Sequence, residues 1–139
     1  MIRVTFVPTS SARTWRLGAV LEALNKAISG TATVTMAFVS ISVIRKWNKR
    51  YRGNDSPTDV LSFGWDTSEG LVGDVLLCKS VLAQEVGRSA CTLEQLIQHR
   101  FVHGVLHILG HDHERKGQAR RMEDLERQVL GFDPYQQKV

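Results

Sequence analysis

No stretch of the 139-residue chain approaches the roughly 20 consecutive apolar residues that a membrane-crossing helix requires. The N-terminal MIRVTFVPTS also lacks the charged-then-apolar layout of a secretory signal. A membrane location is not expected; a cytoplasmic one is, or an organellar matrix if a leader has been trimmed. Cysteine is scarce. Cys78 and Cys91 stand alone, without CxxC spacing, and read as small buried thiols, neither a zinc pair nor a disulfide. Three prolines and the absence of any Gly/Ser/Pro-rich linker, repeat or low-complexity tract leave nothing to divide the chain, so residues 1–139 are read as one domain. Acid is nearly missing from the first part: residues 1–52 hold nine Lys/Arg against the single acid Glu22. The charge balance there is +8, and the remainder of the chain stands at −4.

What is present is patterned. Ile2 to Val7 alternates apolar and polar residues and predicts a strand. Leu17, Val20, Leu21, Leu24 and Ile28 recur at helical spacing before the stop at Gly30. Residues 31–39, TATVTMAFV, are β-branched and predict a second strand. Ser40 is placed to cap a helix with Ile41, Ile44, Trp47 and Tyr51 on one face. After the turn-rich GNDSPT, Asp59 to Phe63 and Leu71 to Cys78 predict two more strands, and Lys79 to Val86 a short helix. Thr92 and Gln95 form a capping box for a helix reaching Leu109, and a last helix runs from about Gln118 to Leu130 with Met122, Leu125 and Val129 inward. This order predicts an α+β fold, a mixed four-stranded sheet with packed helices.

Two clusters point to chemistry. Five of the eight residues from Arg45 to Arg52 are basic and interleave with Trp47 and Tyr51. Arg45, Lys46, Lys49 and Arg50 are candidates for tracking the phosphates of a nucleic acid while the rings stack on bases. A solvated helix face would use the same residues.

All five histidines lie between His99 and His113, densest in HGVLHILGHDH. His103 and His107 leave one helix face a turn apart and can meet one ion, and Gly110 lets the chain return with His113. The intervals match the metal ligands and turn glycine of the metzincin pattern HExxHxxGxxH, but Gly104 replaces the glutamate that serves those proteases as general base. His99 deviates in direction and reads as a structural hydrogen-bonded residue. His111 competes as a ligand; the spacing after the glycine favours His113, and Asp112 is a candidate for orienting an imidazole. Three neutral imidazoles leave a coordination position open, as in catalytic zinc sites, and such an ion lowers the pKa of water toward about 7. Zinc is the expected ion, with another transition metal as the alternative.

Two segments, NKRYRGNDSPTDVLSF (48–63) and VHGVLHILGHDHE (102–114), resemble the YbeY family of bacterial and organellar endoribonucleases. The resemblance implies a zinc-dependent endoribonuclease specific for single-stranded RNA, with His103, His107 and His113 on the metal and Arg52 as the functional arginine, a zinc-hydrolase-like three-histidine site at the end of a central helix. It further implies action in rRNA maturation, especially at the 3′ end of small-subunit rRNA, in ribosome quality control, and contacts with small-subunit ribosomal proteins and an assembly GTPase. His111 stands where many relatives carry tyrosine. From the residues alone, Arg52 reads first as an ion-pair partner of Asp55 or Asp59. Two rival functions are a zinc peptidase or amide hydrolase, suggested by the histidine spacing, and a non-catalytic ribosome-assembly factor with a structural metal.

Overall fold

The computed structural model describes residues 1–111 and 116–138. The elements follow in the order β1 (Ile2–Val7), α1 (Ser11–Thr14), α2 (Leu17–Ala27), β2 (Ala32–Phe38), α3 (Ile41–Arg52), β3 (Val60–Thr67), β4 (Gly70–Leu77), α4 (Lys79–Glu85), α5 (Leu93–Ile108) and α6 (Lys116–Leu130). The strands form one mixed sheet in the order β1-β2-β4-β3. β1, β2 and β4 are mutually parallel and β3 returns antiparallel beside β4. The α+β expectation is met.

Strand alternation assigns the two faces of this sheet. Ile2, Val34, Met36, Val75 and Leu77 point to one side and are buried together with Leu17 and Leu24 of α2, Phe101 and Val105 of α5, and Met122 and Val129 of α6. Burial of each large side chain in that cluster contributes on the order of 1.5–3 kcal/mol. The other face is thinly covered. Ile44 of α3 packs there with Leu61 and Cys78, while Arg3, Thr5, Thr33 and Thr35 remain exposed to solvent.

α5 lies against the sheet at unusually short range, and the sequence permits this through glycine. A Cβ at Gly104 would stand 2.9 Å from Val75 Cγ1, and one at Gly73 would stand 2.6 Å from Ile108 Cδ1. Each is closer than side-chain carbons pack. The helix begins on the capping box: Thr92 Oγ1 accepts from Gln95 N at 3.2 Å, and Gln95 Oε1 accepts from Thr92 N at 3.0 Å. It ends at Gly110, whose φ of 94° lets His111 N donate to Leu106 O and Gly110 N to His107 O, both at 3.0 Å. That pair of bonds is the Schellman arrangement, and it turns the chain at the glycine singled out by the histidine spacing.

α3 turns Ile44, Trp47 and Tyr51 toward the sheet, where Tyr51 stacks on Trp47 and meets Phe63, but that face is only partly covered. Ser40 does cap the helix, accepting from Val43 N at 3.3 Å, but Tyr51 is 55% exposed and Ile41 39%. Asn48 is buried, and its Nδ2 donates to Ser56 O at 2.9 Å and pins the following loop to the helix. β3 also runs past Phe63 to Thr67, through Gly64 and Trp65.

Candidate metal centre

One face of α5 places His99, His103 and His107 in a row, with ring centroids 5.6 Å apart for the first pair and 4.6 Å for the second. They wall a cleft of about 700 Å³ whose other sides include Arg52, Arg88 and Tyr135. Behind these rings, α6 contributes Glu126, a carboxylate with no solvent exposure.

Glu126 organises the row. Its Oε2 accepts from His99 Nε2 at 2.5 Å and from His103 Nδ1 at 3.1 Å, while Oε1 accepts from the Tyr135 hydroxyl at 2.6 Å. Burial alone would raise its pKa, but the bonds from His103, His99 and Tyr135 outweigh burial and bring it down to about 2. The charge is therefore present at neutral pH. Tyr135 is pushed upward by burial and by donating to that carboxylate.

The tautomers follow from the partners. Arg100 Nη1 sits 2.7 Å from His99 Nδ1, and a guanidinium can only donate, so Nδ1 is an acceptor and the proton of neutral His99 lies on Nε2, toward Glu126. Burial, and then the neighbouring Arg100, keep His99 neutral against the pull of the carboxylate. His103 is reversed. Its Nδ1 donates to Glu126, which leaves Nε2 with a lone pair, 3.1 Å from His107 Nε2. Two nitrogens sharing a tetrahedral zinc at about 2.0–2.1 Å stand roughly 3.3 Å apart, so this pair fits an ion. A buried carboxylate behind a ligand histidine is also the usual way such a ring is oriented.

The described residues contain a second grouping with metal-holding character: His99, His103 and Glu126 each bring a ligand atom within 4.8 Å of the others. His99 and Glu126 are in direct hydrogen-bond contact there, and both are almost wholly buried, at 4% and 0%. His113 and Asp112 lie outside the described residues. His111 is half-buried just beyond the Gly110 turn.

The basic helix sorts itself by partner. Asp55 takes Arg45 at 2.8 Å and Lys49 at 3.9 Å. Asp59 takes Arg100 Nε at 2.7 Å, and Arg100 also binds Glu85. Both carboxylates that compete for Arg52 are thus engaged elsewhere, and among the described residues no acid pairs with Arg52. It closes α3 immediately before Gly53, whose φ of 73° stops the helix, and its side chain faces the histidine cleft. Within the segment 48–63, Asn48, Asp55 and Asp59 each have a structural bond, and Arg52 is left for the cleft. Glu126, Arg100 and Arg88 were not singled out from the sequence. Glu126 had a signal, since positions 122, 126 and 129 share one helix face.

Comparison with known proteins identifies the family. The sequence model of the family described as Endoribonuclease YbeY matches residues 7–132. The Endoribonuclease YbeY of Aromatoleum aromaticum is 41% identical, over 88% of this chain and 75% of its own length. That of Halorhodospira halophila is 37% identical, over 88% and 87%. In structure, a Thermotoga maritima protein determined in solution superposes with a TM-score of 0.61 at 25% identity, covering 94% of this chain and 90% of that one. With the family pattern spanning both the arginine segment and the histidine helix, the chain belongs to the YbeY family of endoribonucleases.

Proposed function

We propose that the protein is a metal-dependent endoribonuclease that cuts single-stranded RNA, with zinc or a related transition metal held by His103, His107 and His113. The observation that carries this reading is the pair of Nε2 atoms 3.1 Å apart, one of them oriented from behind by Glu126. The His99–His103–Glu126 grouping is the less suitable cage. His99 Nε2 and Glu126 Oε2 are already bonded directly, and Glu126 has no solvent exposure.

When bound, such an ion supplies Lewis acidity and acidified water at neutral pH. The chain's own residues supply the rest. Glu126 fixes the ring of His103, Arg52 meets the charge that grows on the phosphoryl oxygens, and its planar guanidinium can hold two of them. Arg45, Lys46, Lys49 and Arg50 lead the RNA backbone toward the cleft, with Arg45 and Lys49 partly neutralised by Asp55. Family membership supports rRNA as the substrate, including 3′-end maturation of small-subunit rRNA and ribosome quality control. Small-subunit proteins, an assembly GTPase and a cytoplasmic setting belong to the same proposal. Among the described residues no helix is long and apolar enough to cross a membrane.

The peptidase alternative finds no support in the geometry. Its general base would have to stand at position 104, where a Cβ meets Val75. The deciding experiment incubates metal-analysed protein with an unstructured RNA and with casein. RNA cleavage abolished by a chelator and restored by zinc is expected; casein cleavage, or RNA binding without any cutting, would overturn the proposal.

A further inference from the structure

The second large cavity lies on the thinly covered face of the sheet. It encloses about 520 Å³ between α3 and the strands β3 and β4, and its wall is aromatic: Trp47, Tyr51, Phe63 and Trp65, with Asp74 and Leu76. Two of these rings are unusually open for their size, Tyr51 at 55% and Trp65 at 47%. Trp47 and Tyr51 stack nearly parallel, 15° apart at 5.3 Å, and Phe63 tilts against Tyr51 at 4.9 Å. The guanidinium of Arg50 sits 5.7 Å from both stacked rings. Lys46 precedes it by one helical turn.

This cavity and the histidine cleft are back to back across the edge of the sheet. β3 is an edge strand, and its alternation puts Val60 and Ser62 into the cleft and Phe63 and Trp65 into the aromatic pocket. The end of α3 does the same with consecutive residues: Tyr51 lines the pocket and Arg52 the cleft. A polymer that rounds this edge touches both.

We propose that the aromatic pocket binds a nucleobase of the single-stranded RNA whose scissile phosphate lies in the histidine cleft. The base stacks on the ring wall, Arg50 and Lys46 take the adjoining phosphates, and Asp74 accepts a hydrogen bond from the base edge. The proposal rests on the RNA-cleaving reading above and adds a second site to it. Three chemistries converge in one place: flat π-faces, the Arg50 guanidinium beside them and the recessed carboxyl of Asp74. A nucleotide offers the complement of each, a π-face, a phosphate and N–H donors, whereas an apolar peptide complements the first alone. The charge of +8 in residues 1–52 favours the same occupant. Asp74 is half-buried opposite Phe63 in the β3–β4 register, and burial raises its carboxyl above the ordinary range.

The test uses the full metal-loaded chain and a fluorescent unstructured RNA of about a dozen nucleotides, long enough to span both sites. Binding should quench tryptophan fluorescence. Trp65→Ala should weaken Kd about tenfold, as the loss of one stacked base does, and Trp65→Phe should restore most of it. Arg50→Ala should flatten the dependence of log Kd on log salt by about one counterion. The single-turnover rate at saturation should fall less than affinity, because the pocket holds substrate at a distance from the reacting bond. Unchanged Kd in both Trp65→Ala and Arg50→Ala, with wild-type protein cutting the RNA, overturns the pocket and leaves the nuclease reading standing. Wild-type protein that neither binds nor cuts overturns both. Self-association that disappears in Trp65→Ala while RNA affinity stays constant would assign the pocket to a second copy of the chain and likewise overturn the proposal.

Discussion

His103 donates its Nδ1 proton to Glu126 at 3.1 Å, and that one bond determines which nitrogen of the ring faces His107. A carboxylate buried within α6 thereby governs the tautomer of a ring in the histidine row.

Replacing Glu126 by Gln keeps the shape but gives up the charge and one acceptor oxygen. Metal affinity should fall roughly 10- to 100-fold, read by chelator competition on folded protein. Glu126→Ala goes further, leaving the buried polar atoms of His99 and Tyr135 without that acceptor, and should lower stability by about 1–3 kcal/mol. Wild-type metal affinity in Glu126→Gln would remove the carboxylate from the metal site.

The ligand set is tested by elemental analysis. His103→Ala, His107→Ala and His113→Ala should each lose the ion together with activity, because three protein donors leave none to spare. His111→Tyr should retain it. If His99→Ala loses the ion while His107→Ala retains it, the His99–His103–Glu126 grouping is the cage.

Arg52→Ala should preserve fold and metal content yet slow single-turnover RNA cleavage by roughly 100-fold, since its contact strengthens as phosphoryl charge develops. Arg52→Lys should recover part of the rate, restoring charge without the two-pronged geometry. A normal rate in metal-loaded Arg52→Ala would place the residue outside the chemistry.

Acid should loosen the far wall of the cleft through Asp59. Burial would raise its pKa, but Arg100, Val60 N–H and the Thr58 hydroxyl outweigh burial and hold it below the ordinary 3.8. A carboxyl whose folded pKa is the lower one stabilises the fold above its unfolded value, and that contribution disappears as pH falls through the folded value. Asp59→Asn should therefore be less stable than wild type near neutral pH, with the gap narrowing below about pH 4. Urea titrations of both proteins across that range measure it; a gap independent of pH would mean that the charge on Asp59 contributes nothing.

The sequence made the elements legible where local signals and burial agreed. Ile2–Val7, the Ser40 and Thr92 caps and the Gly110 turn all stand where periodicity and capping chemistry put them. It misled where a polar residue takes a buried position: Asn48 is buried in α3 while Tyr51 stays exposed, and Glu126 sits among Met122 and Val129 in a helix whose acids otherwise meet water. Long-range pairing was invisible for a different reason. Arg100 finds Asp59 across 41 positions, and no spacing rule reaches that far. Only with that pair and Asp55–Arg45 in view are both carboxylates near Arg52 seen to be engaged by other cations.

The narrow gap at Gly104 also limits what this scaffold can become. The histidine spacing invites conversion to a peptidase by one codon, Gly104→Glu, yet the new Cβ would meet Val75 Cγ1 at 2.9 Å. The helix would have to lift from the strand beneath it, carrying His103 and His107 along. Gain of the missing base and retention of the ligand geometry are therefore opposed within a single residue, so the two hydrolytic chemistries are separated here by packing and not by a point mutation.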